Sequence, residues 1–175
     1  ARTCRWGEQP RGDKRPLPGD DAGMSTSQRY LVIGLGRFGA ALAESLSEQG
    51  AEVIAVDNRM QEVEAVKRKV AFALELDATD PLALQSVEPL RCTAVIVAIG
   101  ENFEATVLTM AALREIGVQN IIARARSARE ARILQAVGAS EIIELETEMG
   151  RMFGRRLSGA APGTTVASAE YLAKR

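Results

Sequence analysis

The chain has 175 residues, with 22 Lys and Arg against 23 Asp and Glu, 46% hydrophobic residues and 4% aromatic ones. That is enough apolar material for one core packed by Val, Ile, Leu and Ala, and a formal charge of −1 offers no electrostatic footprint for nucleic acid. The complete lack of histidine removes the commonest general base and all imidazole metal ligands, and no apolar run approaches bilayer length.

Residues 1–23 mix Pro, Gly and both charges without an apolar period, so residues 1–28 are expected to form a disordered arm. Met24 fits a natural start, which makes the preceding residues upstream sequence, and the arm lacks the apolar core of a secretory signal. Its basic residues (Arg2, Arg5, Arg11, Lys14 and Arg15) alternate with acids, as in a solvated tail. Cys4 and Cys92 are too far apart for a metal or redox motif, which suits a reducing cytosol.

From Arg29 onward, apolar runs of strand length alternate with helical patterns. The runs predict strands at 30–34, 52–56, 71–76, 93–99, 120–124 and 141–144, each covered on both faces. Between them, Phe38, Ala41, Leu42 and Leu46 form one helical stripe, ended by Gly50. Phe103, Val107, Met110 and Ala111 form a second, ended by Gly117. Glu130, Ile133, Leu134 and Val137 form a third, ended by Gly138. Residues 147–158 predict a final helix despite two glycines, and 159–175 read as a linker and tail with no complete second lobe. Residues 29–158 are therefore expected to form an α/β domain, a Rossmann-like doubly wound, six-stranded parallel sheet with helices on both faces.

The first strand leads into Gly34-Leu-Gly36-Arg37-Phe38-Gly39, and the second ends at Asp57 about twenty residues on. Gly34 permits the tight turn, Gly36 lets backbone approach a pyrophosphate, and Gly39 allows close helix–strand packing. The free N–H groups and positive dipole end of the following helix attract phosphates. Asp57 can accept hydrogen bonds from ribose hydroxyls and disfavours a 2′-phosphate by like-charge repulsion. Adenine-nucleotide binding is the expectation.

In this topology the ligand crosses the sheet where strand order reverses, which puts Ala98, Ile99 and Gly100 against pyrophosphate and ribose. Asp77, Ala78 and Thr79 should lie near the adenine, with Thr79 or Asp80 capping a helix that opens at Pro81. Arg37 projects from the phosphate-holding loop, where a guanidinium can bond phosphate bidentately. Asn58 and Arg59 follow Asp57, and Arg59 either leaves a small opening for NADP or lies over the adenine. Arg124 and Arg126 end the fifth strand toward the same sheet edge. Glu144, Glu146 and Glu148 follow the sixth strand, where acids favour a helix N-terminus or meet a phosphate-bound divalent cation.

The segments VIGLGRFG (32–39), VIAVD (53–57), LDATD (76–80), VIVAIGENFEAT (95–106), IIARARS (121–127), GASEII (138–143) and ETEMG (146–150) occur in this order. With that set, the chain closely resembles the RCK/KTN nucleotide-binding domain of bacterial Ktr- and Trk-type potassium-uptake regulators, over roughly residues 29–157. The resemblance implies a cytosolic regulatory subunit, peripheral at the inner face of the cell membrane. It implies pairing into a dimer and an octameric ring beneath an integral membrane potassium channel or transporter subunit. ATP or ADP, NAD or NADH is the implied regulatory ligand, with Mg or Ca accompanying ATP. By position, Gly34, Gly36 and Gly39 bind phosphates, Asp57 holds ribose, and Arg37 senses the terminal phosphate, in some rings that of a neighbour's ligand. Glu146 matches a cation-contacting acid, although Leu145 replaces the family's proline, and Arg124 stands where a lysine is frequent.

The rival reading, an NAD-dependent oxidoreductase, shares the first βαβ unit but needs a substrate domain and a proton donor. No histidine exists, and no lysine falls near the predicted switch point. A redox-sensing transcriptional regulator needs a DNA-reading helix pair or basic patch, and neither is visible in the sequence. No catalytic residue is assigned.

Overall fold

The structure, a computed structural model, describes residues 28–159. The expectations for the arm, for Cys4 and for all of the tail beyond residue 159 lie outside the described residues.

Strands and helices alternate: β1 (Arg29–Ile33), α1 (Arg37–Glu48), β2 (Glu52–Asp57), α2 (Met60–Val66), β3 (Phe72–Glu75) and α3 (Pro81–Gln85). A 3-10 turn at Pro89–Arg91 leads to β4 (Ala94–Val97), α4 (Phe103–Ile116), β5 (Ile121–Arg124), α5 (Ala128–Val137), β6 (Glu141–Ile143) and α6 (Leu145–Leu157). All strand pairs are parallel, in the order β3-β2-β1-β4-β5-β6. The chain winds outward from β1 to one edge, then returns to β4 and winds to the other. The switch between β1 and β4 leaves a crevice at the carboxyl ends of these strands.

The period of two in the central strands divides the core into two layers. Leu31, Ile33, Val95 and Val97 face one side, where Leu84 of α3, Met110 and Leu113 of α4 and Leu134 of α5 cover them. Val32, Val53, Ala55 and Ile96 face the other, under Ala43 of α1 and Val63 and Val66 of α2. Burial on both faces explains why β1, β2 and β4 read as unbroken apolar runs.

Position within the sheet modifies three expectations. As an edge strand, β3 leaves Phe72 and Leu74 exposed rather than covered. On α4 the buried stripe passes through Thr106, Thr109 and Met110, while Ala111 faces solvent. On α5 Ala131 and Leu134 are buried and Ile133 is exposed. Apolar content alone does not say which of two neighbouring residues points inward; helix rotation is set by packing. Gly117 and Gly138 end α4 and α5 in the left-handed region, whereas α1 is capped by Gln49 with left-handed Gly50 just beyond.

The two buried threonines of α4 differ. The Thr106 hydroxyl donates to the Asn102 carbonyl at 3.0 Å. The Thr109 hydroxyl, wholly buried, has no partner among the described groups. An unmade hydrogen bond in the core costs about 1–3 kcal/mol, and an isosteric apolar side chain removes that cost. Thr109→Val is therefore expected to raise unfolding stability by about 1 kcal/mol in urea denaturation, while Thr106→Val lowers it by a similar amount. A loss of stability in Thr109→Val would contradict the assignment.

Candidate functional site

At the end of β1 the backbone turns sharply. Gly34 has φ of +91°, and its N–H donates to the Val56 carbonyl at 2.8 Å. A Cβ there would meet the Ile99 nitrogen at 2.9 Å, so the turn is pressed onto the continuation of β4. Gly39, in the first turn of α1, packs against the Gly34 carbonyl with no room for a Cβ. A Cβ at Gly36, in contrast, would meet nothing within 4 Å. The three glycines thus divide the work: Gly34 and Gly39 bring helix to strand, and Gly36 exposes backbone to open space.

Gly36 caps α1 without a side chain, and no acid stands in the first turn. The orphan N–H groups and the positive end of the helix dipole face the crevice uncompensated. Asp57, only 7% exposed, braces the loop from the side. One of its carboxylate oxygens accepts from the Leu35 N–H at 2.7 Å, and the other from the Arg59 N–H at 2.9 Å. A carboxylate has about four acceptor sites, so Asp57 keeps capacity for a ligand hydroxyl while fixing the loop.

After β3 the chain forms a tight turn. Asp77 accepts from the Thr79 N–H at 2.9 Å and from its hydroxyl at 2.7 Å, an Asx turn. These two bonds hold the Asp77 carboxyl below the usual aspartate range. Helix α3 is capped by Asp80, which accepts from the Leu82 N–H; Thr79 is committed to Asp77 instead.

These segments converge on one open cavity of about 930 Å³ at the switch point. Of the residues expected to bind a ligand, Gly34, Gly36, Arg37, Phe38, Asp57, Asn58, Arg59, Asp77, Ala78, Thr79, Ala98, Ile99, Gly100 and Arg124 line it, and so does Glu146. Gly39 does not, because it lies beneath the loop as a packing residue. The exposed Arg37 has no ion pair or hydrogen-bond partner among the described residues. Arg59 instead reaches back to Asp57 and Glu62.

Glu101, Asn102, Ala105, Arg126 and Leu145 also line the cavity, beyond the expected set. Asn102 caps α4, accepting from the Ala105 N–H at 3.0 Å. That signal was present in the sequence as an Asn placed before a helical stripe. It aims a second helix N-terminus at the same space.

Arg124, with its side chain 16% exposed, crosses the cavity from the end of β5. One Nη donates to Glu146 at 2.8 Å, and the guanidinium lies 5.7 Å from the centre of the Phe38 ring. The Arg124 Nε is buried without a partner. The backbone amide of Glu146 itself, and then the Arg124 guanidinium, hold the Glu146 carboxyl below the usual range. No group of three or more His, Cys, Asp or Glu able to hold a metal ion occurs among the described residues. Glu146 would meet a cation only as a single carboxylate, with the remaining oxygens coming from a bound phosphate and water.

Two outcomes follow from this geometry. Gly39→Ala should destabilise the domain by about 2–3 kcal/mol or more, and Gly36→Ala by less than about 1 kcal/mol, in denaturant unfolding. Equal losses would refute the division of labour among the glycines. Because the Asp77 carboxyl is lowered on folding, its turn bonds are complete above the unfolded aspartate value. They are lost as pH falls through the lower folded one. An NMR titration should show the Thr79 amide shifting only in that acidic window.

The profile of the TrkA-N domain family matches residues 30–145. Ktr system potassium uptake protein C of Bacillus subtilis is 35% identical over 130 residues, 74% of this chain and 59% of that protein. Protein A of the same organism's Ktr system is 35% identical over 136 residues, 78% and 61% respectively. The chain thus spans about three-fifths of the length of these relatives. Among solved structures, the NAD(P)-binding domain of an exopolyphosphatase-related protein from Archaeoglobus fulgidus superimposes with a TM-score of 0.68 at 24% identity. That match covers 74% of this chain and 97% of the other. GsuK bound to ADP gives 0.63 at 23% identity, covering 77% and 35%. At these identities the structures establish the shared fold. With the family profile covering most of the described residues and the cavity at the switch point, this chain belongs to the TrkA-N domain family.

Proposed function

We propose that this domain is a nucleotide-sensing regulatory module of a potassium-uptake system. It takes an adenine nucleotide into the switch-point cavity and transmits a change of shape to a membrane pore subunit. The observation that carries this reading is the convergence on one cavity of the uncapped α1 N-terminus, the Asp57 carboxylate and the 77–79 turn. Those elements suit, in order, a polyphosphate, a ribose and an adenine. The Ktr relatives support the potassium connection, and GsuK bound to ADP supports the ligand class.

In this reading the cavity binds its ligand without transforming it. Among the arginines that line the cavity, Arg37 alone has no ion pair among the described residues. It binds phosphate charge; it does not move protons. The ligand acts instead through differential affinity for two arrangements of the assembly. A surface for such an assembly lies on α6, where Met149, Met152, Phe153 and Leu157 are exposed at helical spacing and no residue is buried. A second copy of the chain covers that stripe, and the resulting dimers build a ring on the cytoplasmic side of the pore partner. No helix among the described residues is long and apolar enough to cross a membrane, so the pore belongs to the partner in this reading.

Isothermal calorimetry with ADP, ATP, NAD and NADH tests the proposal, with native mass spectrometry reporting the oligomer for each ligand. Uptake of at least one nucleotide, with an oligomer that depends on which, is the expected result; no uptake of any refutes it. Arg37→Ala should leave ADP affinity within about threefold while erasing most of the difference between ATP and ADP, since only the terminal phosphate loses a charge-assisted partner. Undiminished discrimination in that variant would remove Arg37 from the sensing role.

A further inference from the structure

The Arg124–Glu146 pair joins the ligand cavity to α6. Arg124 stands at the end of β5, and Glu146 is the second residue of α6. Their 2.8 Å contact spans 22 positions of sequence and ties the first turn of this helix to the sheet. Beyond Leu145 the described residues of α6 are all exposed, so the helix has little apolar burial to hold its start in place.

The guanidinium is already where a phosphate would be received. One of its Nη atoms lies 2.7 Å from the point a Cβ would occupy on Gly100, at the end of β4. Phe38, 5.7 Å away, belongs to the first turn of α1, whose N–H groups face the same cavity. The Arg124 Nε–H has no partner among the described groups, so the present hydrogen bonding leaves a donor over. Glu146, by contrast, is 61% exposed and reaches Arg124 from the rim. One partner is fixed and under-bonded inside the cavity, and the other is solvated and replaceable.

We propose that Glu146 is a stand-in anion for Arg124, exchanged for a phosphate oxygen when a nucleotide binds, and that this exchange releases the first turn of α6. The inference rests on the nucleotide reading above and gives that reading a route from ligand to helix. A phosphate offers more acceptor oxygens to the planar donor fork than the single contact that Glu146 makes, and it lies on the same side as the helix N–H groups. Nucleosides without phosphate leave the pair intact, so adenosine fills the cavity without moving the helix.

The test compares the wild-type protein with Glu146→Gln, which keeps the shape but removes the competing charge, and with Glu148→Gln, an equal charge change elsewhere on α6. Calorimetry with ADP should give Glu146→Gln about two- to fivefold tighter binding than wild type, the range expected for loss of a largely solvated ion pair, and Glu148→Gln little change. Hydrogen exchange should show the amides of 146–150 opening in wild type on adding ADP but not adenosine. In Glu146→Gln they should be open before any ligand is added. ADP binding that is equal or weaker in Glu146→Gln, equal gains in both variants, or unchanged exchange would overturn the proposal. Uptake of none of ADP, ATP, NAD and NADH by any of the three proteins sinks the nucleotide reading together with the exchange. Uptake that is present but identical sinks the exchange alone.

Discussion

Every property of the cavity follows from a close approach of backbone to backbone at the start of α1. Gly39 sits against the Gly34 carbonyl, and Gly34 against Ile99, at distances no side chain tolerates. This pins the first turn of the helix to the carboxyl ends of two central strands, β1 and β4. The helix N–H groups therefore open onto the switch-point crevice instead of being buried or capped. If the helix stood back by the width of a methyl group, the crevice would lose its positive end and its shape together. The Asp57 carboxylate completes the arrangement by taking the Leu35 N–H, the loop donor that would otherwise be buried without a partner.

Charge in the cavity is arranged by what is already satisfied. Asp57 and Asp77 spend acceptor capacity on the backbone around them, and so act first as braces for the two loops. Arg59 is drawn toward Asp57 and Glu62, and Arg126 toward Glu130. Arg37 keeps its guanidinium uncommitted, and Arg124 is half-committed to an exposed carboxylate. The uncommitted Arg37 stands beside the open N-terminus of α1, so that, among the described residues, one free cation and the helix N–H groups stand together in a chain of almost no net charge.

The same contrast runs through the packing. The central strands are buried on both faces and tolerate only apolar residues, while β3 and the whole of α6 leave large apolar side chains in contact with water. Met149, Met152, Phe153 and Leu157 form an exposed apolar stripe on α6, the helix that the cavity touches through Glu146, as suits a surface that further chain covers.

Sequence by itself determined the order and type of the elements, the parallel sheet and the glycine loop with its acid. Each of these is written in local periodicity or in the backbone freedom of one residue type. It also marked most of the cavity wall, because a doubly wound sheet has one switch point and the strand ends on either side of it are fixed by chain order. The packing role of Gly39 and the Asn102 cap are also legible locally, but tertiary structure alone decided that Gly39 is kept out of the cavity wall, that Ala131 and not Ile133 turns inward, and that the start of α4 opens onto the site. It alone also joined Arg124 to Glu146. These depend on helix rotation and on contacts between residues far apart in the chain. Such contacts are settled by which neighbour fills the space, and no local pattern records that.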